Sequence, residues 1–172
     1  MIIVIDGDYN ENIGNMAGVL IKNFEDEEIC GFISSIVKDI GEYESGSFYK
    51  RELKGIENLI KQLNISTIDY IVIDGYARFG IESHKALGER VFDKYNIPII
   101  GIAKKRNNLC ILDNTEVIRG DSRNPLFVTS VGCSQDFANK KVLNMYGKNR
   151  LPYIVKLVDS LARKNQITLY KH

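Results

Sequence analysis

Apolar and polar positions alternate in a way that divides the chain into short strands first and helix–strand units afterwards. Residues 2–6, Ile-Ile-Val-Ile-Asp, are an apolar run that ends in an acid. Two further β-branched runs, 16–22 and 29–36, are separated by the charged turn Asn23-Phe24-Glu25-Asp26-Glu27-Glu28. Three such runs with short connections predict an antiparallel meander. Residues 41–50 mix Gly41, Ser45, Gly46 and Ser47 with Tyr43, Phe48 and Tyr49, which predicts a loop. From Glu52 to Leu63 the period changes, and Leu53, Ile56, Leu59, Ile60 and Leu63 share one helical face.

Tyr70–Asp74 then reads as a buried strand, Ser83–Tyr95 as a helix and Ile97–Ala103 as a second buried strand. This alternation predicts parallel β-α-β packing. Weaker strands are predicted at 110–112, 117–119 and 126–131. One helix runs from an N-cap at Ser134 to about Tyr146, with Gly147 just beyond it. A last helix has Pro152 in its first turn and runs to about Lys164. The pattern is that of an α/β domain spanning residues 1–172, a mixed sheet flanked by helices, with no linker or repeat to divide it.

Composition narrows the class. Apolar residues make up 44% and charged residues 26% of the 172, ordinary values for a soluble globular protein. No run approaches the roughly 18 apolar residues of a membrane span. The start, Met1-Ile2-Ile3-Val4, lacks the basic region of a signal peptide. A cytoplasmic protein with no membrane association is expected. Cys30, Cys110 and Cys133 are an odd set at wide spacing, suggesting reduced thiols instead of a zinc or disulfide framework. Charge is segregated: residues 1–100 hold 10 Lys and Arg against 17 Asp and Glu, and residues 101–172 hold 13 against 5. Such asymmetry suggests a nucleic-acid or other polyanionic partner, unless the fold interleaves the halves into a mixed surface.

The candidate chemistry lies in acids at strand ends. Asp6 and Asp74 each end a predicted strand, and in open α/β sheets function gathers at the C-terminal strand edge. Two carboxylates forced together there need a cation between them. Glu52, opening the first helix, could add a third oxygen. An all-oxygen set favours magnesium or manganese over zinc and suits phosphodiester hydrolysis. The same acids could instead cap a turn or a helix N-terminus. No GxxxxGK[ST] or GxGxxG segment is present, which argues against a nucleotide-binding loop. His84 is the one histidine besides His172, so a histidine-centred nucleophile is not expected.

These motifs, taken in order, resemble the endonuclease V family. The family's Asp-x-x-Tyr appears as Asp6-Gly7-Asp8-Tyr9, and its Tyr-x-x-Gly followed by Arg-Glu as Tyr43-Glu44-Ser45-Gly46 before Arg51-Glu52. Its strand ending in Asp-Gly and its Phe-Gly-x-x-Ser-His appear as Val72-Ile73-Asp74-Gly75 and Phe79-Gly80-Ile81-Glu82-Ser83-His84. Pro98-Ile99-Ile100-Gly101-Ile102-Ala103-Lys104, Ser130-Val131-Gly132-Cys133 and Arg150-Leu151-Pro152 match three later motifs. The resemblance implies a ribonuclease H-like fold and a magnesium-dependent endonuclease, with manganese able to substitute. The implied substrate is DNA or RNA containing inosine, cut at the second phosphodiester on the 3′ side to leave a 3′-hydroxyl. It implies no obligate protein partner.

By the same resemblance Asp6, Glu52 and Asp74 are catalytic metal ligands, Asp159 sits near the metal, and Lys104 is the catalytic-site lysine. Lys105 and Arg106 are candidate substrate contacts beside it. Tyr43 matches a wedge that replaces a flipped base in the stack, and Gly46 and Gly75 match backbone positions lining the pocket for that base.

Several features depart from the family. The likeness begins at the first strand, where the family's preceding N-terminal helix is not expected, and the family's Pro-Tyr-Ile-Pro wedge is Glu42-Tyr43-Glu44-Ser45. Tyr76-Ala77-Arg78 replaces a longer loop, and Cys133 replaces a histidine. These changes keep the acids and alter the surface that reads the lesion. Two alternatives follow: a nuclease on branched or single-stranded nucleic acid without lesion preference, and a nucleic-acid-binding protein with weak catalysis.

Overall fold

The computed structural model describes residues 1–10, 13–38 and 48–164. Its centre is a seven-stranded mixed sheet made of β1 (Ile2–Asn10), β2 (Ile13–Ile21), β3 (Gly31–Lys38), β4 (Tyr70–Asp74), β5 (Ile99–Ala103), β6 (Glu116–Val117) and β7 (Leu126–Val131). The spatial order is β3-β2-β1-β4-β5-β7-β6. The first three strands form the antiparallel meander, and β1, β4 and β5 run parallel. β7 returns antiparallel to β5. The fold is ribonuclease H-like α/β, as the resemblance implied.

Strand periodicity sorts the sheet's side chains onto two faces. Ile3, Ile5, Ile71, Ile73 and Ile99 pack under α1 (Phe48–Ile60) and α2 (Leu87–Tyr95). Ile2, Val4, Val72, Ile100 and Ile102 pack under α3 (Gln135–Asn144) and α4 (Tyr153–Arg163). Because both faces are covered, the central strands are continuous apolar runs and not alternating ones. Each fully buried Ile or Leu in these layers contributes about 1.5–3 kcal/mol from removal of apolar surface. Helix ends follow local chemistry. Ser134 Oγ accepts from Phe137 N at 3.2 Å to start α3, and Glu89 Oε2 accepts from Ala86 N at 2.9 Å at the start of α2. Asn96, with φ of 53°, ends α2 in the left-handed region.

Some boundaries differ from expectation. β1 runs on past Asp6 because its far half pairs with β2. Phe48–Lys50, expected in a loop, form the first turn of α1, where Phe48 packs edge-on against Tyr9 at 5.4 Å. Ser83–Ala86 precede α2 and are not helical. Residues 110–112 are not a strand, since their one backbone bond to a neighbouring segment runs from Ile111 N to Phe79 O. No helix among the described residues is long and apolar enough to cross a membrane.

Candidate functional site

Register brings the first two acids together. β1 and β4 pair in parallel from Ile2 with Tyr70 through Ile5 with Ile73, and Asp6 and Asp74 are the next residue on each strand. Glu52 arrives from α1 in its second turn. All three line one small cavity of about 20 Å³, together with Tyr9, Met16 and Leu87. Asp6 is only 9% exposed; its Oδ1 accepts from Gly7 N at 2.7 Å, while its Oδ2 is buried without a hydrogen-bond partner.

The electrostatics are those of crowded carboxylates. Burial, and then the Asp74 charge, push Asp6 up to about 7, against the pull of the Gly7 N–H and the Lys104 ammonium. Burial, followed by the charges of Asp74 and Asp6, pushes Glu52 up to about 8. Burial, with Glu52 and Asp6 nearby, lifts the Tyr9 phenol above its ordinary range, and its hydroxyl donates to Met16 Sδ at 3.0 Å. Lys104, at the C-terminal edge of β5, contacts these acids directly: its Nζ donates to Asp74 Oδ2 at 2.8 Å. Burial alone would lower the Lys104 ammonium, but its bond to Asp74 and the charges of Asp74, Asp6 and Asp159 raise it.

Among the described residues no three acid, histidine or cysteine side chains are already drawn into an ion cage. The donors nevertheless suit a hard divalent cation: three carboxylates around one cavity, two of them held partly neutral by burial, and one orphaned oxygen. Asp159 on α4 acts on Asp6 through charge, while its own Oδ1 accepts from Arg163 Nε and Nη2 at 3.2 and 3.0 Å.

A larger cavity of about 530 Å³ adjoins the acids, with Glu52, Asp74, Gly75, Tyr76 and Phe79 in its lining. Gly75 has φ of 117°, and a Cβ there would meet nothing within 4 Å, so its backbone faces open space. The Arg90 guanidinium lies over the Tyr49 ring at 3.8 Å on the same cavity wall. His84, paired with Ser83 Oγ at 2.9 Å, also lines it. Lys105 and Arg106 are exposed, and Arg106 Nη1 lies 3.7 Å from Glu116 Oε1. The expected wedge Tyr43 and the pocket glycine Gly46 lie outside the described residues.

Two arginines that local sequence pattern does not single out hold this edge together. Arg150 Nη2 donates to the Lys104 carbonyl and, at 2.8 Å, to Pro125 O. Arg119, 3% exposed, donates to the carbonyls of Leu143, Met145, Gly147, Asn149 and Arg150. The usable signal for Arg119 was a charged residue closing an otherwise apolar pair of positions, Val117 and Ile118. Arg150 stood in a motif read as a helix start.

In sequence, no family model and no curated relative matches the chain. Solved structures do match in fold. Endonuclease V of Ciona intestinalis, in complex with a 24mer DNA containing an inosine followed by a ribo-adenosine, aligns at TM-score 0.75 and 18% identity over 94% of this chain and 84% of its own. Human ENDOV aligns at TM-score 0.75 and 19% identity, over 94% and 82%. Endonuclease V of Bacillus subtilis aligns at 0.72 and 19%, over 92% and 76%. The chain therefore has the fold of endonuclease V, a mixed ribonuclease H-like sheet.

Proposed function

We propose that the protein is a divalent-metal-dependent endonuclease that hydrolyses nucleic acid 3′ to a deaminated adenine, as inosine or deoxyinosine, in DNA or RNA. One observation carries this reading: Asp6, Glu52 and Asp74, far apart in sequence, line a single cavity beside the Lys104 ammonium. Asp6, Glu52 and Asp74 would hold magnesium or manganese, with Asp159 close by. Such an ion supplies Lewis-acid polarisation of the scissile phosphodiester.

The remaining work falls to the chain. Lys104 keeps its proton against Asp74 and holds a positive charge where phosphate charge accumulates. The 530 Å³ cavity, with Tyr49, Tyr76 and Phe79 in its wall and the Gly75 backbone open to it, accommodates a base turned out of the stack. Lys105 and Arg106 contribute exposed charge for flanking phosphates. The DNA in the Ciona complex lends support to a nucleic-acid substrate.

The purified protein with magnesium is expected to nick an inosine-containing oligonucleotide, and Asp74→Asn to reduce the rate by a factor of at least about 10³. Nicking that persists in Asp74→Asn removes the proposed metal site. Equal cleavage of inosine-containing and undamaged strands keeps the nuclease and removes the lesion preference.

A further inference from the structure

We propose that Leu109 and Ile111 form an apolar wedge that enters the base stack of a duplex beside the cleaved nucleotide; this rests on the nucleic-acid reading above. Ile111 is 65% exposed, the most exposed large apolar side chain among the described residues, and Leu109 is 43% exposed. Single exposed apolar side chains are ordinary, as Ile118 at 59% and Ile36 at 58% show; what distinguishes this loop is its place beside the acid-lined cavity.

Hydrogen bonds anchor the loop at both ends. Asn107 N donates to Tyr76 Oη at 2.9 Å, and that hydroxyl donates to Lys105 O at 3.0 Å. Leu109 N donates to Asn107 Oδ1 at 2.9 Å and Cys110 N to Asn107 O at 3.0 Å. Ile111 N donates to Phe79 O at 3.0 Å, and the absence of a Cβ at Gly80 seats the loop, since one there would lie 2.7 Å from Leu112 Cδ2 and 3.2 Å from Ile111 Cγ1. The backbone is thus anchored while the two apolar tips stay out.

Position and charge select the occupant. Leu109 lines the same cavity as Glu52 and Asp74, so an element filling that cavity meets the loop. Lys104, Lys105 and Arg106 immediately precede it in the chain, placing cations at its base and apolar tips at its end. That combination suits a stacked polyanion, with phosphates on the cations and a base step opened by the apolar side chains. An apolar protein surface would offer no anion to the exposed Lys105 and Arg106, of which Arg106 has, among the described residues, only the loose 3.7 Å contact with Glu116.

The test uses a DNA duplex with 2-aminopurine next to an inosine, bound in the presence of a chelator so that no cleavage occurs. The wild-type protein is expected to raise 2-aminopurine emission severalfold. Ile111→Ser, and Leu109→Ser with Ile111→Ser, are expected to abolish most of that rise, while Ile111→Phe restores it. With manganese, the ratio of duplex to single-strand cleavage is expected to fall about tenfold in Ile111→Ser, a loss of about 1.4 kcal/mol and so part of the cost of unstacking one step. A full emission rise and an unchanged ratio in both serine variants overturn the wedge while leaving the nuclease. Unstacking that is lost in the serine variants of a protein that cleaves nothing supports the wedge and removes the catalytic reading. A wild-type protein that binds no duplex removes both.

Discussion

At Asp6 a carboxylate sits almost fully out of water with one oxygen unpartnered, beside Asp74 and within reach of the charges of Glu52 and Asp159. Its folded value of about 7 lies above the ordinary 3.8, and that of Glu52, about 8, lies above 4.5. Raised values mean that the folded state binds protons the unfolded chain has released. The stability they contribute is therefore complete below pH 3.8 and 4.5, and is lost as pH rises through about 7 and about 8. In chelator, the thermal midpoint should decline across this window by more than in Asp6→Asn. At pH 8 that variant should be the more stable, by on the order of 2 kcal/mol or several degrees, while losing nuclease activity. A wild-type curve parallel to that of Asp6→Asn in calorimetry would show that the site carries no such strain.

The connections between elements determine how that edge is held. After Asp74 the chain turns at Gly75, whose N–H donates to Ile102 O at 3.0 Å, and Ala77 N then donates to Thr129 Oγ1 at 2.8 Å. A Cβ at Gly101 would lie 2.3 Å from Ala77 N, and one at Gly88 would lie 2.4 Å from Ala77 Cα. Both glycines exist so that this connection can lie flat on β5 and α2. From the other side, Arg119 fixes the 143–150 segment, and that segment's Arg150 fixes the Lys104 backbone. Arg150→Met is expected to lower kcat about tenfold with little change in KM, through loss of Lys104 alignment. In a Lys104→Ala background the same change should have almost no effect on kcat. A full additive loss there would assign Arg150 a plain stabilising role. Reaction of Lys104 with an amine reagent, faster in Arg150→Met than in wild type, checks the alignment without relying on activity.

Across the whole molecule, the acidic first part of the chain and the basic remainder do not separate into two lobes. α4 lies on β1 and β2, Lys104 meets Asp74, and Lys141 Nζ meets Glu25 Oε1 at 3.1 Å. Charges that are segregated along the sequence are partly interleaved by the sheet order, so the basic contribution to binding must come from particular residues. Binding to an inosine-containing duplex should weaken linearly in log–log plots against salt. Lys105→Ala with Arg106→Ala should reduce the slope by about 2, from two fewer phosphate contacts. An unchanged slope in fluorescence anisotropy would place those two side chains outside the interface.

How much of this was legible beforehand follows from the range over which each signal acts. The meander, β4, β7 and the apolar faces of α1 and α4 were readable because strand and helix periods are local properties of consecutive side chains. Asp74 was readable as a strand end for the same reason, whereas Asp6 lies inside β1 and only the parallel pairing with β4 stops before it, at Ile5. The first turn of α1 was not, since the contacts that favour it, Phe48 edge-on to Tyr9 and Tyr49 under the Arg90 guanidinium, are made to distant residues and leave no trace in the local composition. Residues 110–112 were misread as a strand because apolar content does not reveal that their neighbour is a loop anchored at Phe79 and Gly80.

The sequence by itself determined which residues could form strands and helices, and which acids could stand at a strand edge, because those depend on side-chain period and chemistry. Only the tertiary structure decided that Asp6, Glu52 and Asp74 share a cavity, that Lys104 answers Asp74, and that Arg150 and Arg119 hold the edge in place. Such contacts join residues tens of positions apart, and their energies exist only once parallel pairing of β1, β4 and β5 has closed the distance.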